Sequence, residues 1–289
     1  MNLFLELSKF IILSLGIVGI AKYLLVPVLR KISQLLELGP KASGNIAGFA
    51  TSVPELLTVA FSASAGFIST SIYNILSSNI INLIQYIFSI YLNKNQKYIS
   101  NKAIKIDLVL VLITIIIPLI LLGFNIELNS NIVIVFVLLL SLFYYINYNS
   151  HKLYLKKEEQ EILEEEIKDE EREYRFKRKK KKTVILYWIY LILIAIALYV
   201  IGELLSASLT NLSNIFRFPE IILGILLGVI TSIPELITFI EAQRKEKSKN
   251  SEEANKLGVI EATNNLLTSN ILNLFVIQSI GILIYTIFE

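Results

Sequence analysis

Two hexapeptides, Thr51-Ser52-Val53-Pro54-Glu55-Leu56 and Thr231-Ser232-Ile233-Pro234-Glu235-Leu236, are almost identical, and each lies inside a strongly apolar stretch. Each places one carboxylic acid and two hydroxyls beside a proline. Proline lacks the amide that would close the preceding helical turn, so Pro54 leaves the Ala50 carbonyl without its helical donor and Pro234 does the same for Ile230. An ionisable group within an apolar span is costly to bury and marks a functional site by default.

A second pattern follows each hexapeptide. Asn74-Ile75-Leu76-Ser77-Ser78-Asn79-Ile80-Ile81-Asn82-Leu83 aligns without a gap with Asn265-Leu266-Leu267-Thr268-Ser269-Asn270-Ile271-Leu272-Asn273-Leu274. Together, Glu55 and Glu235 supply two negative charges and hard oxygens. Thr51, Ser52, Ser78, Asn79 and their partners Thr231, Ser232, Ser269 and Asn270 supply neutral oxygens. The freed carbonyls, with others near Gly48 and Gly228, are expected to face the same site. A hard cation such as Ca²⁺ takes about six to eight oxygen ligands in irregular geometry. Oxygen ligands alone disfavour softer transition metals. One Pro-Glu pair could be a kink with a satisfied acid; a matched pair with matched Ser-Asn partners points to one shared cation site.

The elements that must carry these residues are apolar helices. Of the 289 residues, 54% are hydrophobic, and mean hydropathy is +0.64. Apolar runs of about 20 residues, enough to cross a bilayer's hydrocarbon core, recur along the chain. An all-α integral membrane protein with about eight spans is expected: Phe10–Leu29, Gly44–Gly66, Ser71–Leu92, Ile106–Gly123, Ile132–Tyr148, Thr183–Leu205, Pro219–Ile240 and Leu257–Phe288. The first apolar segment lacks a basic start and a small-residue cleavage site, so it reads as a retained span. There is no cysteine and only one histidine, His151, which excludes disulfides, thiolate sites and multi-histidine metal sites. No nucleophile–base pair or phosphate loop supports an enzyme, and no cofactor is expected.

Three regions are expected: a first transmembrane half, 1–149, a charged loop, 150–182, and a second transmembrane half, 183–289. The loop holds twelve Lys/Arg and ten Asp/Glu. Pairs such as Glu164/Lys168 are spaced for a solvated helix. Its basic run, Arg175 to Lys182, abuts a span and reads as a topology signal on anionic lipid rather than a nucleic-acid site. Basic residues cluster after spans one, three, five and seven. The positive-inside rule then puts the N-terminus outside and the loop in the cytoplasm of a multi-pass protein of the cell membrane. The two hexapeptide spans run in opposite directions, the arrangement of inverted repeats that share a site at mid-membrane.

These residues resemble the cation/Ca²⁺ exchanger superfamily, the sodium/calcium antiporters in particular. That family carries a Gly-Thr-Ser-x-Pro-Glu motif and a Gly-Asn-x-x-Gly-Ser-Asn-x-x-Asn motif in each of two α-repeats. Here Ala50 and Ile230 replace the first motif's glycine, and Ser77 and Thr268 replace the one before Ser-Asn. The resemblance implies alternating access, with Glu55 and Glu235 binding Ca²⁺ and Na⁺ or H⁺ in turn. It implies that Thr51, Ser52, Thr231 and Ser232 contribute oxygens and that Asn79 and Asn270 complete the centre. Family members usually have five spans per half, so the second half is expected to be shortened. A second copy of the chain or a complementary membrane subunit is then a candidate partner. The alternative is a non-transporting or partner-dependent cation-binding protein with a retained site.

Overall fold

The computed structural model describes residues 2–25, 27–28, 31, 52–154, 181–247 and 252–288. All regular elements among them are helical. In chain order they are α1 (Leu3–Ile20), α2 (Val53–Ser64), α3 (Ile68–Leu92), α4 (Lys102–Gly123), α5 (Ser130–Tyr154), α6 (Lys181–Thr210), α7 (Glu220–Thr231), α8 (Ile233–Lys247), α9 (Glu252–Ile271) and α10 (Gln278–Phe288). Wider π-helical turns extend α1 (Ala21–Leu25) and α6 (Asn211–Ile215), and a third (Leu272–Ile277) joins α9 to α10.

Six helical segments are long and apolar enough to cross a membrane: Leu3–Leu25, Ile68–Leu92, Ile104–Gly123, Leu186–Ile215, Glu220–Ile240 and Gly258–Phe288. Two shorter apolar helices, Val53–Ser64 and Ser130–Ile146, stand where the sequence suggested spans two and five. The eight apolar elements are therefore present, but only six reach spanning length among the described residues. The first part of span two, with Gly48 and Thr51, lies outside them. Large side chains such as Ile12, Ile84, Leu138 and Ile192 are more than half exposed. In water such a surface would drive aggregation; against lipid it is the natural outer face.

Helix starts differ from the apolar pattern because polar caps set them. α1 begins at Leu3 rather than Phe10, since the Asn2 side chain accepts from the Phe4 amide at 3.0 Å. α3 begins at Ile68 rather than Ser71. No neighbouring side chain caps it; the Glu220 carboxylate, 150 residues on, accepts from the Thr70 amide at 3.2 Å. The α2–α3 turn passes through Gly66 at φ 86°, a left-handed conformation that glycine adopts without strain.

The inverted relation of the repeats can be read from the packing. Gly224 of α7 lies against Thr70 and Tyr73, and Gly228, one turn on, against Asn74, Ser77 and Ser78. α7 therefore runs parallel to α3. α8 continues that direction, since Phe239 stacks edge-on against Tyr86 and Gln243 reaches Ser89. α2 returns antiparallel on α3 through the tight turn, with Asn74 bonded to Thr58 at 2.8 Å. Thus α2 and α8, which carry the two glutamates, run in opposite directions. α3 and α9–α10 lie antiparallel along their length, joined at Ser71–Gln278, Asn79–Asn270 and Tyr86–Thr263. The apolar packing falls into two clusters. One joins α4, α5, α8, α9 and α10 to α3; the other joins α1, α6 and α7.

Candidate functional site

The second Thr-Ser-x-Pro-Glu motif interrupts the helix that carries it, and the first opens a helix. Span seven breaks at Ser232, between α7 and α8, and Pro234 is the second residue of the new helix. Ser52 likewise stands in a turn just before α2, with Pro54 in the first turn. A proline is well tolerated there because its missing amide has no helical partner to lose. Each glutamate consequently sits in the first turn of a helix, where exposed amides and the helix dipole favour a negative charge. The N-termini of α2 and α8 come together, with both glutamates buried there.

Glu55 is fully buried, and among the described residues no well-formed hydrogen bond reaches its carboxylate oxygens. The Glu235 charge acts on it directly, and the Thr231 hydroxyl lies beside it. Glu235 is 2% exposed. Its Oε1 accepts from the Ser269 hydroxyl at 3.5 Å, while Oε2 has no partner. The Ser52 and Ser232 hydroxyls are buried and unpartnered. Thr231 and Ser78 share a hydrogen bond at 3.4 Å. Ten of the twelve residues singled out from the sequence fall among the described residues, and all ten lie in or beside this buried centre. Gly48 and Thr51 are outside the described residues.

Two details refine the sequence reading. The Gly228 carbonyl is not free. It accepts from the Ser232 amide at 3.2 Å and the Ser78 hydroxyl at 3.4 Å, and the Ser232 amide also reaches the Ile230 carbonyl. The Ser232–Gly228 bond is the ordinary last turn of α7, and the contact to Ile230 serves the one carbonyl that Pro234 leaves without a helical donor. What Gly228 provides is closeness, because a Cβ there would lie 2.7 Å from the Asn74 carbonyl oxygen and 2.8 Å from the Ser78 nitrogen.

The second detail adds to the reading of the asparagines. The Asn79 amide donates to the Asn270 backbone carbonyl at 3.3 Å, and the Asn270 amide donates to the Asn79 carbonyl at 3.2 Å. Asn273 donates to Asn79 Oδ1 and Asn82 to Asn270 Oδ1, each at 3.2 Å. The two repeats thus exchange matching bonds across a pseudo-two-fold axis. Asn79 and Asn270 tie α3 to α9, and each side-chain oxygen accepts one hydrogen bond and keeps a second lone pair. Asn82 and Asn273 keep unpartnered, fully buried Oδ1 atoms. Sequence reasoning aligned these two but passed them over; their signal was the repeated Asn-x-x-Asn spacing.

Ser52, Glu55, Asn82, Ser232, Glu235 and Asn273 together carry seven buried oxygens that receive no well-formed hydrogen bond from the described residues. Leaving such acceptors unpaired costs free energy unless something else satisfies them. No Lys or Arg is buried among the described residues to neutralise the two acids. No group of three or more His, Cys, Asp or Glu gathers there either. A cation held at this centre would therefore rest on two carboxylates and neutral oxygens.

These features define a multi-pass helical membrane protein built from inverted repeats around a buried, acidic, oxygen-lined centre. The family model of the sodium/calcium exchanger protein matches residues 8–153 and 186–288, and the chain belongs to that family. Its members are transporters rather than enzymes. The unmatched interval, 154–185, nearly coincides with the charged segment. Neither a curated protein nor a solved structure matches the chain.

Proposed function

We propose that the protein is a secondary antiporter that moves Ca²⁺ across the membrane in exchange for Na⁺ or H⁺, at a site built from both repeats. The observation that carries this reading is the set of seven unpartnered oxygens around Glu55 and Glu235. Ca²⁺ satisfies such a set, with ligands at about 2.3–2.6 Å. Glu55 and Glu235 are the charged ligands, and Ser52, Ser232, Asn82 and Asn273 add neutral oxygens. Thr231, Ser78 and Ser269 hold the surrounding hydroxyl network, and Thr51 is assigned the role of its repeat counterpart, Thr231. Asn79 and Asn270 fix the two helices that present the site.

Two carboxylates confined in a low-dielectric core repel each other unless cations lie between them. An empty site is therefore unfavourable to carry across, and exchange is favoured over leak. Ca²⁺, Na⁺ and H⁺ relieve the same repulsion, so they compete for one site. We further propose that the charged segment 150–182 faces the cytoplasm of the cell membrane and that the N-terminus lies outside, as the distribution of basic residues supports.

The test is Ca²⁺ flux into proteoliposomes driven by Na⁺ or H⁺ gradients, for the wild type and for Glu55→Gln, Glu235→Gln and the exposed control Glu203→Gln. The motif variants should lose exchange, and the control should keep it. Wild-type-like exchange in both motif variants would overturn the mechanism. Ca²⁺ binding without any flux in the wild type would point instead to a non-transporting or partner-dependent cation-binding protein.

A further inference from the structure

A cavity of about 520 Å³ opens at the end of the bundle where α3 begins and α4 and α10 end. It lies apart from the buried centre, since no motif residue lines it. Its volume falls in the range of small-molecule sites. Ile68 and Ile72 of α3 and Leu121 and Leu122 of α4 supply apolar lining, while Asn125, Glu127, Tyr285 and Thr286 add polar groups. The connection from α4 to α5, which forms one wall, is held by its own backbone. The Asn125 and Ile126 amides donate to the Leu122 and Leu121 carbonyls at 3.2 and 2.9 Å, and the Asn129 side chain accepts from the Asn131 amide at 3.1 Å. The wall is thus in place before a ligand arrives, which lowers the cost of binding.

Glu127 is the one charged residue in the lining. It is exposed and makes no ion pair among the described residues. The stretches that supply the lining, 53–93, 106–151 and 258–289, contain no Lys or Arg. Arg217 precedes α7, and α7 contributes nothing to the lining. A cavity so built repels anions and suits an apolar body that carries one positive group. We propose that it binds an amphiphile with an ammonium head, the head at Glu127 and the hydrocarbon against the α3 and α4 side chains. Tyr285 adds an aromatic ring, to which ammonium groups are drawn. Free alkylamines and the aminophospholipids of a bilayer both carry such a head. Other apolar faces of the bundle meet lipid chains whatever their headgroup; Glu127 makes this one selective.

The experiment is native mass spectrometry of the full chain released from a non-ionic detergent, with octadecylamine, octadecyl sulfate, phosphatidylethanolamine and phosphatidylglycerol as probes. The expected result is saturable binding of octadecylamine at one site and no such binding of octadecyl sulfate. Glu127→Gln should weaken the amine by about three- to five-fold, the effect of removing one exposed charge partner. Thr286→Trp, which places an indole among the lining residues from an exposed position, should abolish saturable binding and leave thermal unfolding unchanged. Displacement of the amine by phosphatidylethanolamine alone would support the proposal with the bilayer as the ligand's source. Displacement by neither lipid would support it with a free amine. Equal binding of octadecyl sulfate, equal displacement by both lipids, or amine binding untouched by Glu127→Gln would mean annular lipid or an adventitious additive only, and would overturn it.

Discussion

The closest helix–helix approach beside the site makes a demanding prediction. A methyl group at Gly228 would lie 1.9 Å from Ser77 Oγ, 2.7 Å from the Asn74 carbonyl oxygen and 2.8 Å from the Ser78 nitrogen. Ser77 can rotate, at the expense of its bonds to the Asn74 and Gly224 carbonyls. The two backbone atoms cannot. Restoring ordinary contact of 3.4 Å requires α7 and α3 to separate by about 0.7 Å. Such overpacking costs about 1–3 kcal/mol. The same movement stretches the Ser78 bonds to Gly228 and Thr231, each already 3.4 Å long, beyond useful range. Each adds about 0.5–1.5 kcal/mol. Less about 1 kcal/mol gained in helix propensity, Gly228→Ala should therefore lose about 1–5 kcal/mol of stability and lower Ca²⁺ exchange. Gly19→Ala, where an added Cβ meets nothing within 4 Å, should be neutral or gain up to about 1 kcal/mol from helix propensity. Thermal unfolding and Ca²⁺ flux of both variants in the same lipid would decide. If Gly228→Ala proved as stable and active as Gly19→Ala, the inferred fit of α7 into α3 would be wrong.

Other expectations follow from individual bonds. Glu55→Gln and Glu235→Gln should each weaken equilibrium Ca²⁺ binding by about two to three orders of magnitude, as expected when one of two buried charges facing a cation is removed. Asn82→Ala and Asn273→Ala should weaken Ca²⁺ binding by about ten-fold, whereas Asn79→Ala should chiefly lower the unfolding temperature, because it leaves the Asn273 amide and the Asn270 carbonyl unpaired at about 1–3 kcal/mol. Glu220→Ala should cost about 1 kcal/mol by removing the remote cap of α3 while Ca²⁺ affinity is retained, measurable by thermal unfolding with and without Ca²⁺. Tyr86→Phe should cost about 1 kcal/mol through its lost 2.8 Å bond to Thr263.

The sequence made the duplicated centre legible because the same polar residues recur at the same spacing in two apolar settings. The prolines announced a disturbance of each span by freeing a carbonyl, but not that span seven splits into two helices at Ser232. The choice between the two asparagines of each Asn-x-x-Asn was not legible. Residues three apart share a helix face, and only the rotation of α3 against α9 decides which oxygen is left free. Glu220 was equally opaque, because the amide it caps lies 150 residues away. The π-helical turns leave no compositional mark. The one at Leu272–Ile277 has no counterpart in the equivalent part of α3, which stays α-helical to Leu92.

The crossed asparagine bonds also bear on how the two halves can diverge. After a duplication, each copy of a repeat normally drifts on its own, and similarity fades evenly along its length. Here Asn82 depends on Asn270 and Asn273 on Asn79, so each copy's side chain answers to the other's rather than to its own neighbours. A change at one of these four positions leaves a buried donor or acceptor stranded in the opposite repeat. Such positions are heritable in pairs. Related chains should therefore show correlated substitution between residues 82 and 270 and between 79 and 273, while the surrounding lipid-facing residues vary freely.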